Sequence, residues 1–557
     1  MKKLLKRLFK FAAYTAAGVL IALAIAVGLF RLFLPRLPEY QAEIKGWAST
    51  AIGMQVEFTG MDARWGLSGP ELKFYNAELM RPDGPESLVA ATEVRVGIAL
   101  TRLLADGTPV VDRVVIRDTQ IDVQELDDGR WQVQGTLMDE LVGADTGDRR
   151  LPPDLQVIGE NITLSLLRSG DNQARLFTVP RSVVSVDEKR IAIDASARLP
   201  TDLGRQLHVS ATQLLGLPEG EQGQWNITVE ADEADLAGWS TLYGEGGPRI
   251  ASGYGDLELA VDYRNGNVGN ASATVDFSGV DLGDERRFDV SGRFEFNATP
   301  DGWLVAAQEL QLTTDETTWP EASLRAEAST DANDRIVMMD VETTYVNLAD
   351  LMLIAPWLPD EYRERLVQLE PDGVVRGLEA TVSDIDTDSP RFDVKAELER
   401  VGVAADGEQP GVRGFTGLVR ANRLGGRLDI RSTDLLLDLP EYLPQSVEVG
   451  VADGTVIWRH SDQRTTILTD SIRIQNDLID SQSSVQMTFS ADGTSPTIDL
   501  TSNWTISDVA AVTSYIPQNI IKPKLYDWFQ SALVQGSIPR ATTVLRGPLE
   551  KFPFDND

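Results

Sequence analysis

Two histidines, His208 and His460, and no cysteine make up the chain's whole stock of imidazole and thiol groups in 557 residues. A zinc centre built from several closely spaced His and Cys ligands cannot be assembled from that inventory. A Ser-His-Asp relay needs a histidine held beside an activated serine. Neither histidine lies near a Gly-x-Ser-x-Gly turn, and the sequence has no such turn. Thiol nucleophiles and disulfides are excluded outright. Carboxylates are the opposite case: 85 acidic residues offer pairs everywhere, so a glycosidase-type pair has no pattern that sets it apart. Both histidines fall in strand-like stretches and read as surface residues. No metal, no cofactor and no catalytic residue is expected.

The chemistry on offer is instead that of charge and apolar surface. Lys2, Lys3, Lys6, Arg7 and Lys10 precede Phe11–Phe30, a run without a charged residue. Twenty helical residues rise about 30 Å, the thickness of a bilayer's hydrocarbon core. The basic cluster, residues 1–10, keeps the amino terminus cytoplasmic. Ala-x-Ala patterns lie inside the apolar run, and Leu32, Phe33 and Leu34 follow it, so residues 11–34 read as an uncleaved single-pass anchor rather than a signal peptide. The bulk of the chain is then delivered across the membrane. Its net charge of −34 repels nucleic acid and anionic surfaces, so no nucleic-acid partner is expected. The acidity serves solubility. Without cysteines, burial alone holds the exported fold.

Beyond the anchor, Leu37–Ile52 has Tyr40, Ile44, Trp47 and Ala51 at helical spacing. Such a helix suits either the membrane's headgroup layer or the first strands. From there the dominant period is two. It is carried by Ile121 and Val123, by Ile162 and Leu164, by Ile191 and Ile193, and by Ile227 and Val229. It recurs in Val275 and Phe277, in Phe288, Val290, Phe294 and Phe296, and in Val485, Met487 and Phe489. Alternation gives each strand one apolar and one polar face. Eight Asp-Gly pairs, at Asp83, Asp106, Asp128, Asp301, Asp372, Asp406, Asp453 and Asp492, read as hairpin turns. The pattern predicts a mainly β chain of roughly thirty to forty short strands.

Helical patterns are few. Asp360–Leu369 is one; Pro523–Gln535 is stronger, with Leu525, Trp528, Phe529, Ala532 and Leu533 on one face and Gly536 as its stop. That helix reads as a gate or a brace. Two or three helices cannot cover so many one-sided strands. Either the sheets close on one another, or a trough is left for an apolar ligand. Periodicity leaves both open. A loose repeat pairs Asp350-Leu351 with Asp508-Val509, and Asp235-Leu236 with Trp239 forms a third copy. The expected organisation is a helix and first β unit over 35–142, a linker at 143–154 and strands over 155–345. A helical insertion at 346–375, strands over 376–505, and a helix with the start of a further β unit over 506–557 complete it.

Val111–Gln134, VDRVVIRDTQIDVQELDDGRWQVQ, resembles the strand-strand-turn signature near the start of AsmA-like proteins, most clearly at Asp128-Gly129-Arg130-Trp131. The tail is similar to the YhdP branch of that superfamily through Ile516-Pro517, Leu525, Trp528, Gly536, Arg546-Gly547 and Phe552-Pro553-Phe554. The resemblance implies an elongated, twisted antiparallel sheet curled into a groove, apolar inside and polar outside. It also implies a role: a periplasmic bridge, anchored in the bacterial inner membrane by residues 11–34, that conducts phospholipids to the outer membrane of Gram-negative cells. The alternating residues named above then line the groove. Family members run on past Phe-Pro-Phe, so the chain is expected to be an N-terminal portion, with outer-membrane contact made further on. The competing reading is a periplasmic scaffold for envelope assembly, with closed β-sandwich modules and no lipid conduit.

Overall fold

The computed structural model describes residues 40–52, 55–65, 69–80, 87–99, 110–137, 154–215, 223–242, 249–516 and 523–551, with gaps at 172, 265–266, 284–285, 334, 386, 388, 408, 442 and 444, and positions 18, 24, 25, 28 and 102 besides. The expected anchor at 11–34, the linker at 143–154 and the Phe552–Phe554 motif lie wholly or almost wholly outside the described residues. Among the described residues no helix is long and apolar enough to cross a membrane. The chain divides into two compact units: residues 1–238 with 256–269, and residues 239–255 with 270–557.

The described residues are mainly β, with 27 strands and a few short helices. That is fewer strands than the alternation suggests, because single strands run to 13–15 residues, as in Val111–Glu125 and Arg287–Thr299. Among the described residues the strand pairings are antiparallel, except that Val111–Glu125 runs parallel to Leu155–Leu167. The sheet is therefore mixed. Several Asp-Gly pairs do form turns: Gly129 and Gly493 take positive φ of 81° and 77° there. Asp453-Gly454 does not. It lies inside the strand Val447–Ser461, where a Cβ on Gly454 would come within 2.7 Å of the Ser471 carbonyl oxygen. Glycine is needed there for close backbone approach, not for a reversal.

Long strands keep their sidedness by a recurring device. The apolar alternation changes parity inside many strands: Val114 and Ile116 give way to Ile121 and Val123, and Leu428 and Ile430 to Leu435 and Leu437. At each switch sits a residue with left-handed φ, Asp118 at 52° and Asp434 at 58° in these cases. Asn76, Asn161, Glu233, Glu309 and Arg400 mark the same event elsewhere. Ile430, Leu435 and Leu437 all pack in one cluster with Val449 and Ala452, so residues before and after the switch share a side. Likewise a Cβ on Gly159 would strike Ile162 Cδ1 at 2.2 Å, across the left-handed Asn161. Such insertions bend a strand and free its amides from the ladder. Neighbouring side chains take those amides up. Asp289 accepts Gly279 N–H at 2.8 Å, Thr416 accepts Arg400 N–H at 3.0 Å, and Asp256 accepts Glu233 N–H at 2.8 Å. Ser432, 1% exposed, accepts Thr416 N–H at 2.8 Å and donates to its carbonyl at 3.1 Å.

Short helices follow three strands, and their caps revise the repeat. Asp235 accepts from Gly238 N–H at 3.0 Å and Asp508 from Ala510 N–H at 2.9 Å. The equivalent after the third strand is Asn347, which accepts from Ala349 N–H at 3.0 Å, rather than Asp350. Asp-Leu-Ala, Asn-Leu-Ala and Asp-Val-Ala are thus the aligned triplets, because Asn and Asp both cap helix starts. Asp350 instead accepts from Trp319 Nε1 at 2.6 Å and from the Thr317 hydroxyl at 2.9 Å. Leu348 and Val509 each donate their N–H to a glycine carbonyl at the start of the next strand, Gly373 at 2.9 Å, or just ahead of it, Gly536 at 3.0 Å. The amino-terminal helix is described over Gln41–Ile52, and Lys45 reaches Glu57 at 2.6 Å.

Two outcomes test this account. Ser432→Ala leaves the buried Thr416 amide without its partner, at a cost of about 1–3 kcal/mol. Hydrogen exchange in Gly411–Asn422 and Gly425–Asp438 should then accelerate roughly tenfold or more, with distant strands unchanged. The second concerns Glu93. Burial opposes its charge, but hydrogen bonds from Lys73 and Arg95 outweigh that and hold its carboxyl below the ordinary value of 4.5. A depressed carboxylate stabilises above its unfolded pKa and loses that contribution as pH falls. Glu93→Gln should weaken protection of Pro70–Met80 and Ser87–Ile98 at pH 7, and the difference from wild type should shrink as pH falls below about 4.5.

Candidate functional site: an apolar side in each unit

Directly paired residues of neighbouring strands point to the same side of a sheet, so the strand registers show which side chains line up. In the first unit one row crosses nine strands: Ala63, Leu72, Val96, Val114, Val157, Val184, Ile193, Ala211 and Ile227. Every member is apolar. Two residues along, Met61, Phe74, Val94, Ile116, Gly159, Ser182, Ala195, Val209 and Val229 form a second row, with Ser182 its one polar side chain.

The second unit carries a longer row over fourteen strands. It runs Ala271, Phe296, Val305, Ala326, Val341, Ala380, Val394, Ala421, Gly426, Trp458, Ile467, Met487, Ile498 and Gly547, again without a polar side chain. Gly426 has a specific reason to lack a side chain: a Cβ there would meet the Trp458 ring at 2.2 Å, so the indole lies over it. All fourteen residues are half-buried. The side chains of a closed sandwich would be shut away from water. Here alanine is the commonest of the buried apolar residues, and Phe288, Phe294, Phe296, Val485 and Met487 all keep partial exposure.

The opposite side is ionic. In the first unit, Lys73 at 2.6 Å and Arg95 at 2.5 Å converge on Glu93, with Arg117 at 3.5 Å, and Arg117 goes on to pair with Glu160. His208 belongs to this side, with Ser196 at 2.9 Å and Asp194 at 3.4 Å. In the second unit, Arg325–Glu327 at 2.7 Å, Lys395–Glu379 at 2.5 Å, Arg427–Asp429 at 2.6 Å and Arg546–Asp499 at 3.0 Å continue the pattern. Hydrogen bonds from Arg427 and Thr455 depress the Asp429 carboxyl to about 2, so the pair stays ionised across any physiological pH. Such exposed pairs add little stability each. Their effect is to make the two sides of the wall chemically opposite.

The alternating residues fall on the apolar side in their own unit. Ile193, Ile227 and Val229 lie within the two rows of the first unit, and Ile191 is on the same face as Ile193. Ile121 pairs with Leu164, and Ile162 is on the same strand, over Gly159. Val123 pairs with Leu166. In the second unit, Phe277 pairs with Val290, Val275 with Gly292 and Val280 with Phe288, while Phe294 and Phe296 continue that face. Val485, Met487 and Phe489 pair with Thr469, Ile467 and Thr465. The two sets belong to different units. The helix expected to reach Gln535 ends at Ala532, which leaves Leu533 just beyond it. Trp528 is 56% exposed and stands edge-on to the half-buried Phe529, ring centroids 5.2 Å apart, so the two aromatics do not share a buried face. Sequence reading missed Trp458, and also Ala326, Ala380 and Ala421, since alanine carries little hydrophobic signal.

The family model described as "YhdP protein" matches residues 1–557. The chain is 19% identical over 579 aligned positions to the intermembrane phospholipid transporter YhdP of Escherichia coli (strain K12), an alignment covering 99% of this chain and 44% of that protein. The chain thus spans less than half the length of that relative. No solved structure matches. With the family model covering its full length, the chain belongs to the YhdP family.

Proposed function

We propose that the chain is part of a bridge that conducts phospholipids between the inner and outer membranes along its apolar side. The observation that carries this reading is the row of fourteen residues without one polar side chain, half-buried and backed by an ionic face. Thirteen strand intervals at ~4.8 Å make such a row roughly 60 Å long before curvature shortens it. Shielding a methylene from water is worth about 0.8 kcal/mol, so two acyl chains of roughly thirty methylenes face a barrier on the order of 20 kcal/mol in bare water. A continuous apolar wall removes most of that barrier without chemistry. It sets no direction, which must come from elsewhere. Residues 11–34 would anchor the chain in the inner membrane with its amino terminus cytoplasmic and its bulk periplasmic. The relative's name as a phospholipid transporter supports the choice of cargo.

The lining is the alternating set: Ile121, Val123, Ile162, Leu164, Ile191, Ile193, Ile227 and Val229 in the first unit, and Val275 to Phe296 with Val485, Met487 and Phe489 in the second. The helix Pro523–Ala532 acts as a brace, since its larger ring points to solvent.

Charged lining variants test the conduit. Ile193→Asp in one unit and Phe294→Arg in the other should each give a folded, exported protein that loses most of its co-purified phospholipid, measured by lipid mass spectrometry and circular dichroism. A folded wild type free of lipid would return the closed-module scaffold. Replacing Trp528 and Phe529 by alanine should leave lipid content within twofold of wild type; a collapse of lipid content in a folded variant would make the helix a gate.

A further inference from the structure

One stretch of the apolar side is not apolar. It lies in the strands Arg464–Gln475, Ile479–Ser490, Thr497–Ile506 and Ile538–Pro548. Beside the row Thr469, Val485, Leu500 and Leu545 runs a row of Ile472, Ser483, Ser502 and Thr543, and beyond it Ile474, Ser481, Trp504 and Ala541. Three of these hydroxyls are satisfied within the wall. Ser483 and Ser502 share a hydrogen bond of 2.7 Å, and Ser481 donates to the Ile474 carbonyl at 3.2 Å. Two groups are not. Thr469 Oγ1, on a side chain only 7% exposed, and Trp504 Nε1 are shielded from solvent and have no hydrogen-bond partner.

Buried polar atoms in native proteins are nearly always paired, so two shielded orphans on one side of neighbouring strands call for a partner. We propose that these strands hold a subsite for the glycerol-ester region of a diacyl lipid, with its two ester carbonyl oxygens accepting separately, one from Trp504 Nε1 and one from Thr469 Oγ1. The inference rests on the conduit reading above and adds where along it a lipid pauses. The donor set specifies the chemistry. An indole N–H can only donate, so its partner is an acceptor. A phosphate would bring a charge, and burying one without a counter-ion is unfavourable. No lysine or arginine occurs in these three rows: Arg473 and Arg546 are on the other side, paired with Asp480 at 2.9 Å and Asp499 at 3.0 Å. A neutral carbonyl fits. Entry needs only local movement, since the Trp504 ring is half-exposed although its nitrogen is covered, and Thr543 at the edge of the stripe is open to solvent.

The test compares two probes on the full chain. One is a phosphatidylcholine with two ester-linked acyl chains and a diazirine on one of them; the other is its ether-linked analogue, identical but for the missing carbonyls. After incubation with vesicles of either probe and irradiation, peptide mapping reads labelling of 464–506 against 190–235, first-unit strands where no described side chain holds a shielded polar atom without a partner. Ester probe should label 464–506 about three- to tenfold more than ether probe, the worth of one or two net hydrogen bonds, with no such preference in 190–235. Thr469→Val, which keeps shape, combined with Trp504→Phe, which keeps an aromatic ring, removes both polar atoms and should abolish the preference while total labelling persists. Equal labelling by both probes in wild type, or a preference that survives in the double variant, overturns the subsite and leaves the conduit standing. Absence of labelling by either probe in either region overturns both.

Discussion

Side-chain alternation is the constraint on which everything else in this protein depends. A strand has two faces, and a slip of one residue exchanges them along its whole length. A wall that must stay apolar on one side over nine strands in one unit and fourteen in the other therefore tolerates no uncorrected irregularity. Yet these strands are long, and long regular strands cannot bend. The left-handed residues resolve the conflict: at Asp118, Asn161, Arg400 or Asp434 the chain turns, and the apolar pattern changes parity at the same point. Because neighbours supply hydrogen bonds to several of these points, the bends are built in rather than strained into place.

That device also explains what could be read from the sequence and what could not. Within a segment, as at Phe288 to Phe296 or Val485 to Phe489, the period of two is plain, and those residues do fall on one side. Across a switch the same pattern reads as two strands with a break, so the strand count came out high and strands such as Leu155–Leu167 were not seen whole. Asp453-Gly454 carries turn chemistry but serves close approach inside a strand. The repeat was visible but misregistered at Asp350, because asparagine at Asn347 does the capping that aspartate does in the other copies. The polar stripe around Trp504 was hidden for another reason: serines alternate with their neighbours as regularly as valines do, and only the registers show that four strands place them together.

The two faces divide the labour of a solvent-exposed wall. One is kept free of charge, and the other is laced with Arg–Glu and Lys–Glu pairs whose individual contribution to stability is small. Their value is in specificity: a strand flipped to the wrong register would bring several charges onto the apolar side without partners. The large negative charge of the whole chain adds a second safeguard, since long one-sided sheets are prone to stack on one another.

The single parallel pairing has a consequence for assembly. After Leu155 each strand of the first unit pairs with the one that follows it in sequence, so contacts are local and a hairpin can close within microseconds of its second strand becoming available. Val111–Glu125 is different: its partner Leu155–Leu167 begins some thirty residues later, and the intervening ribbon Trp131–Val133 and Thr136–Leu137 has to be set aside first. The Arg168–Glu125 ion pair, 2.7 Å long and mostly buried, bolts the far end of that seam. A chain folding in the order of its synthesis would thus form the start of its wall, wait at this seam for Leu155–Leu167, and afterwards lengthen one strand at a time.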